Sequence, residues 1–581
     1  MDLTESAQLL GNFGEFPSAI DKSPRNRGAV PMTLIRLMMV CAAFAVVGCS
    51  QEKPASQAEP LDAIFEKWDT DNSPGCSVAA MRDGEIVHKG SYGMANLDHG
   101  IEIENATVFH VASVSKQFTA AAIVLLAQEG KLSLDDEVRD HVMELPDFGH
   151  KITIRHLIHH TSGLRDQWGL LSMTGWRYSE DLITNEDVLA VISRQRNLNF
   201  EPGSEYLYSN TGYTLLAEIV ERVSGKSLRE FTTEHIFHRL DMNHTFFRDD
   251  FREIVHGQAY GYVADGKNGA FRLSVTNFDT VGATSLLTTA TDLMKWQNNF
   301  DSSNVGGEGF TEQMLVRGKL NNDEDIDYAF GLVHGRYRGQ EVISHAGGDA
   351  GYRSFLTRFP GLGFSVAVLC NTSIDTGAMA FQITDLLIPD ELNPEPAESS
   401  SEETAVTLSV EDLETKTGRF WNAKSVSAIA FVVEDAKLNV RFGGTLYELT
   451  PLSATHFRLS FGAEIEFAPD ATSVVTFVGA PNETTFVRVE VFDPDGAALQ
   501  KYVGTYQSDE LEVLYRIGLN DDGLLTVDWL KQYGAVLQPH MRDVFTGDRG
   551  TILFQRHTDT GDVVGFEITN GRIRSLTFRK I

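Results

Sequence analysis

The sequence predicts an α+β domain followed by two small antiparallel β-domains, each a barrel or a sandwich. Three observations predict it. Strand-like runs stand at both ends of the first block, with helical and loop-rich segments between them. A Pro/Ser/Glu-rich stretch almost devoid of apolar residues, Asn393 to Glu403, then interrupts the chain. Beyond it come short alternating strands separated by turns such as Pro469-Asp470, Asp521-Asp522-Gly523 and Asn570-Gly571.

Bulk composition bounds the reading. At 581 residues the chain is long enough for several domains. Its net charge of -32 argues against nucleic acid as a partner, since phosphate binding needs basic surface. Four cysteines in so long a chain exclude a disulfide framework, and no two have metal-ligand spacing. Cys76 and Cys370 both lie in strand-like runs. They read as two buried thiols, the alternative being one bridge if the strands are neighbours.

Residues 1–31 carry little apolar pattern and are expected to be a spurious extension from a misplaced start, with Met32 the true one. Residues 32–49 read as an export signal. Arg36 supplies the positive region, and Leu37 to Val47 form an apolar core too short to span a bilayer. The ending Val46-Val47-Gly48-Cys49 resembles the bacterial lipobox, which implies lipidation at Cys49 and anchoring to a bacterial membrane, facing the periplasm. Residues 50–60 suit a polar tether.

The first domain is expected over 61–390. It opens with a helix-like segment, Leu61 to Trp68. A hairpin follows, Cys76 to Met81 and Glu85 to Tyr92 about Arg82-Asp83-Gly84. Late strands run from Glu341 to Leu369, so the sheet should join the two ends of the domain. A linker is placed at 391–407, and the β-domains at 408–493 and 494–581. The last two look like copies. Leu413, Gly418 and Phe420 recur as Leu499, Gly504 and Tyr506, and Leu449, Pro451 and Phe457 recur as Leu537, Pro539 and Phe545.

The candidate chemistry begins at Ser113-Val114-Ser115-Lys116, ahead of an apolar helical stretch. Positions i and i+3 share a helical face, so the Ser113 hydroxyl and the Lys116 amine can touch. The helix start offers unpaired N–H groups to a developing oxyanion, and the amine can activate the serine. Alone the pattern is weak. Ser50-Gln51-Glu52-Lys53 matches it too, in the tether and with no apolar helix behind it. Tyr208-Ser209-Asn210 is the second element. A tyrosine beside an ammonium can have its pKa lowered and act as a base, and Asn210 can hold the lysine and donate to a substrate carbonyl. The third is His345-Ala346-Gly347-Gly348, a glycine-rich strand edge that an extended ligand can approach closely. One of its N–H groups, with that of Ser113, can form an oxyanion hole. His159 and His160 read as structural hydrogen-bonders.

Together the three elements resemble the β-lactamase/penicillin-binding-protein superfamily of serine hydrolases. Tyr-Ser-Asn is similar to the class C β-lactamases and their peptidase and esterase relatives. His-Ala-Gly is similar to D-aminopeptidase and esterase-like members. Ile154 to Leu164, Leu287 to Leu293 and Gly347 to Tyr352 match the same group. The resemblance implies Ser113 as the acylated nucleophile, with Lys116 and Tyr208 moving its proton. It implies Asn210, His345, Gly347 and Gly348 as substrate-binding positions, and no metal or organic cofactor. It also implies lipocalin-like eight-stranded barrels for the carboxy-terminal pair, as in D-aminopeptidases, where a barrel loop reaches the active site. A histidine in place of the usual lysine at position 345 weakens recognition of a substrate carboxylate. D-amino-acid peptides or amides are therefore the expected substrates. The alternatives are a carboxylesterase, a class C-like β-lactamase, or a non-catalytic protein that binds peptidoglycan.

Overall fold

The computed structural model describes residues 60–581, apart from 179, 267–268, 395–405, 443–444, 460–462, 477–483, 531 and 548–549. The expected extension, the signal with Cys49, and the tether up to residue 59 lie outside the described residues, as does most of the expected linker.

Strands β1 (Cys76–Arg82) and β2 (Glu85–Tyr92) form the expected hairpin, and Asp83 and Gly84 take the positive φ angles that its tight turn requires. Four later strands complete an antiparallel sheet: β3 (Val333–Tyr337), β4 (Gln340–Asp349), β5 (Tyr352–Phe359) and β6 (Phe364–Cys370). The order is β3-β4-β5-β6-β1-β2, so the domain's first strand pairs with its last. Both faces of the central strands are covered, and alternate residues go to two different cores. Val78, Ala80, Val366 and Val368 pack with Leu61 and Phe65 of α1 (Pro60–Phe65). Ala79, Met81, Ala367 and Leu369 join a larger core. That core is built around α2 (Ser115–Gln128), α4 (Asn210–Ser224) and α5 (Ala290–Ser302), and α3 (Gln167–Thr174) adds Leu170, Leu171 and Met173 to it.

Cys76 stands opposite Cys370 in the β1–β6 register, and a disulfide joins them. This corrects the expectation of two free thiols. Both side chains sit in the same small core, and the pairing of strands 294 residues apart sets the two sulfurs together. Only that pairing decides between thiols and bridge.

The carboxy-terminal region forms two closed eight-stranded antiparallel barrels in which consecutive strands are neighbours, as expected. The internal repeat becomes structural. Leu413 and Leu499 are buried on short helices just before each barrel, and Phe420 and Tyr506 sit at matching points in each first strand. Pro451 pairs with Phe457 as Pro539 pairs with Phe545. The first barrel has its own core. The core of the second is continuous with that of the hydrolase-like domain. A buried ion pair, Arg165 with Glu510 at 2.7 Å, crosses that junction, and the Tyr515 hydroxyl donates to the Met173 carbonyl.

Candidate active site

Ser113 sits in a single 3-10 turn, Ala112–Val114, that leads into α2. Ala112 before it has φ of 48°, a costly conformation for a residue with a Cβ. The Ser115 hydroxyl braces the turn by donating to the Ala112 carbonyl and accepting from the Leu286 N–H at 3.0 Å. Ser113 therefore precedes the helix proper and stays half-exposed, while Lys116 is fully buried in the first helical turn.

Lys116 Nζ makes three contacts: Ser113 Oγ at 3.2 Å, Asn210 Oδ1 at 2.9 Å and the Ala283 carbonyl at 2.7 Å. The carbonyl oxygens of Asn210 and Ala283 can only accept. An ammonium fills all three contacts with its three hydrogens. A neutral amine has two hydrogens for those two carbonyls, and its lone pair then faces Ser113. The geometry accommodates both protonation states, and the neutral one presents its lone pair to Ser113. Burial pushes the lysine down to about 7, opposed by the charges of Asp349 and Asp166 and helped by Arg572.

Asn210 is held with its amide one way round. Its backbone N–H and Nδ2 both donate to Asp166 Oδ2 at 2.8 Å, which leaves Oδ1 for Lys116. Asp166 also caps α3 by accepting from the Trp168 N–H at 3.1 Å. The expected lowering of the Tyr208 pKa does not occur. Burial pushes this phenol up and outweighs the Ser113 and Arg572 contributions that pull it down. In the free protein Lys116, not Tyr208, is the group poised to take a proton near neutral pH. Lys116 Nζ lies 4.9 Å from the centre of the Tyr208 ring, and the His160 ring packs against that tyrosine, tilted by 36°, with centroids 4.1 Å apart. His160 Nδ1 accepts from the Ser209 N–H, and His159 bonds the Val316 carbonyl. Both histidines are structural, as expected.

His345 is buried on β4 and pushed down to about 3, by burial first and by Lys116 second. Its Nδ1 faces the Ala346 carbonyl at 2.6 Å, which requires a proton there. Nε2 then accepts from the Tyr328 hydroxyl at 3.0 Å. The histidine is a neutral, oriented wall. Strand β3 ends opposite Ser344, so residues 345–349 pair only with β5 and keep one edge free for an extended ligand.

A cavity of ≈ 430 Å³ is lined by Ser113, Tyr208, Asn210, His345 and Gly348 among others. Gly347 is not among the residues that line this cavity. A Cβ there would stand 2.3 Å from the Val111 carbonyl and 3.2 Å from the Ser113 N–H, so its lack of a side chain lets β4 lie against the nucleophile turn. The structure adds residues that sequence reasoning did not single out. Tyr328, Thr284, Asp349 and Trp168 line the cavity. Asp349 is occupied by His110 at 3.0 Å and by the Thr284 hydroxyl. Arg572 also lines it, from the second barrel. The resemblance to D-aminopeptidases pointed to a barrel loop at the active site, and the Asn570-Gly571 turn stands beside this residue, but neither named Arg572.

Comparison with known proteins agrees with this geometry. The family model described as Beta-lactamase matches residues 61–386. Penicillin-binding protein 4* of Bacillus subtilis (strain 168) is 29% identical over 441 residues, covering 72% of this chain and 95% of that protein. A D-aminopeptidase of Gluconobacter oxydans (strain 621H) is 27% identical over 299 residues, and the match spans 51% of this chain and 56% of that relative. Among solved structures, the octameric penicillin-binding protein homologue from Pyrococcus abyssi superposes with a TM-score of 0.52 at 25% identity, over 71% of this chain and 96% of that one.

Proposed function

The chain belongs to the Beta-lactamase family, and on that premise we propose that it is a serine hydrolase that forms an acyl-enzyme on Ser113 and acts on D-amino-acid peptides or amides. The observation that carries the mechanism is the Lys116 contact set, whose two carbonyl partners leave only Ser113 to meet a neutral amine's lone pair. The Ser113 proton passes to Lys116 Nζ as Oγ bonds to the substrate carbonyl carbon. The N–H of Ser113 and one from the β4 edge face the developing oxyanion. The carbon–nitrogen bond breaks, the leaving amine takes the proton, and water cleaves the ester. Tyr208 lies beside this path as a protonated phenol, suited to relay a proton to the leaving group.

The D-aminopeptidase relative and the loss of positive charge at His345 support the substrate class. The test is intact-protein mass after brief exposure to a D-alanine amide, an aryl ester and a penicillin, with Ser113→Ala alongside and product release followed in parallel. Ser113-dependent adduct or turnover with the amide supports the reading. Reaction with the ester alone makes the protein a carboxylesterase, and a lasting adduct or turnover with penicillin alone makes it β-lactamase-like. No adduct and no turnover with any donor leaves a non-catalytic peptidoglycan-binding protein.

We also propose export and lipid anchoring through Cys49. The Cys76–Cys370 bridge fits an oxidising compartment and supports this. Labelled palmitate should enter the protein in a lipoprotein-processing host and be lost in Cys49→Ser; equal labelling of both would sink the proposal.

A further inference from the structure

The positive charge that β4 lacks is supplied from the second barrel. Arg572 stands in the turn between the strands Val563–Asn570 and Ile573–Lys580. That turn is fixed to the hydrolase domain. The Arg572 carbonyl accepts from the Asn199 side chain at 2.9 Å and from the Asp166 N–H at 3.3 Å. The Arg574 N–H donates to Asn199 at 2.7 Å, and Arg165 donates to the carbonyls of Arg574 and Ser575.

The guanidinium forms an ion pair with Asp166 Oδ2 at 3.8 Å, and among the described residues it makes no hydrogen bond. That oxygen already accepts twice from Asn210. The Arg572 side chain keeps 48% of its exposure, and its guanidinium lies 4.8 Å from the centre of the Tyr208 ring. Of the residues lining the Ser113 cavity, Arg572 alone carries a fixed positive charge. Lys116 is fully engaged by Asn210, Ala283 and Ser113. The one anionic lining residue, Asp349, is engaged by His110 and Thr284. A planar fork with free donors beside a serine nucleophile is suited to a carboxylate.

We propose that Arg572 is a specificity residue that binds a carboxylate on the substrate, so that this site selects acidic substrates such as short peptides with a free carboxylate near the scissile bond. The proposal rests on Ser113 as nucleophile and narrows the substrate class of that same site.

The experiment compares matched donors that differ only in a carboxylate: D-Ala-D-Ala against D-alanine N-ethylamide for the leaving side, and a glutaryl against a butyryl 4-nitrophenyl ester for the acyl side. The wild-type protein should favour the carboxylate member of at least one pair. Arg572→Gln should lower that preference at least tenfold, mainly through KM, and Arg572→Lys should keep part of it. The preference ratio is the readout, because a loss common to both members reports only the charge beside Tyr208. Binding of the same four compounds to Ser113→Ala protein, by calorimetry, reads the anchor without turnover. No Ser113-dependent reaction but Arg572-dependent carboxylate binding would overturn the hydrolase reading and keep the anchor. Turnover with no carboxylate preference, or a preference that Arg572→Gln leaves intact, would overturn the anchor alone.

Discussion

The rate of acylation should follow the ionisation of Lys116. Free lysine titrates at 10.5, and burial brings Lys116 to about 7. At pH 7 an unperturbed amine is neutral in roughly one molecule in three thousand, whereas here about half are neutral. Burial thus raises the neutral base available at pH 7 roughly a thousandfold, a gain offset in part because a weaker base takes the proton less readily. The sign is fixed: protonated Lys116 cannot accept from Ser113, so activity is lost as pH falls. The neutral fraction climbs from about one-tenth at pH 6 to about nine-tenths at pH 8, so kcat/KM should rise about tenfold and then level. His345, at about 3, stays neutral across this window, and Tyr208 stays protonated. The assay is kcat/KM for an aryl ester from pH 5 to 9.5, repeated with Tyr208→Phe and Arg572→Gln. Tyr208→Phe should lower the rate and keep the limb near 7. Arg572→Gln should move the limb to higher pH, because the arginine charge holds Lys116 down. A flat profile in the wild type, or a limb that vanishes with Tyr208→Phe, would refute Lys116 as the base.

Gly347→Ala should cost about 1–3 kcal/mol in urea unfolding and abolish acylation, because its Cβ meets the Val111 carbonyl; Gly348→Ala, whose Cβ would make an ordinary contact with the Arg353 side chain at 3.6 Å, should stay within about 0.5 kcal/mol. Equal effects of the two would count against close packing of β4 on the nucleophile turn. Asp166→Ala should reduce kcat/KM at least about tenfold by freeing Asn210, and it should shift the Lys116 limb to lower pH, since Asp166 raises that pKa. A rate loss with the limb unmoved would leave Asp166 only a structural role. The pair Cys76→Ala/Cys370→Ala should lose about 2–4 kcal/mol of stability, measured as a lower urea midpoint that reductant no longer changes. A wild-type midpoint indifferent to reductant would show that the bridge carries no stability.

What the sequence made legible was local or repeated. The tight turn at Asp83-Gly84 announced its hairpin, and the recurrence of Leu413, Gly418 and Phe420 announced two copies of one barrel. Ser113 and Lys116 are three residues apart, and three-residue spacing on a helix start is a distance. The pairing of Cys76 with Cys370 was not legible, because strand register across 294 residues is set by the whole sheet. Nor was the direction of the Tyr208 shift. Sequence shows the neighbouring cation, but burial, the larger effect, exists only after folding. Arg572 was hidden for the same reason. It lies in an ordinary hairpin turn and gains meaning only when that turn docks on Asn199 and Asp166.

Arg165 and Asp166 explain why the second barrel and the catalytic site form one structure. Neighbours in sequence, they point to different partners. Asp166 holds Asn210, which holds Lys116. Arg165 is buried against Glu510 and against carbonyls at positions 574 and 575 of the barrel. Losing one partner of such a buried pair leaves an uncompensated charge, at a cost of about 3–5 kcal/mol. Deleting the barrel would therefore strand the Arg165 guanidinium, expose a core continuous with that of the hydrolase domain, and loosen the segment that carries Asp166. A truncated protein with altered activity would report damage to the base as readily as loss of a specificity loop. Replacement of the Arg572 side chain keeps the docking bonds of that turn, which run through its backbone carbonyl, and changes the charge that faces the cavity, Tyr208 and Asp166. The function of the barrel is accessible through that side chain and not through its removal.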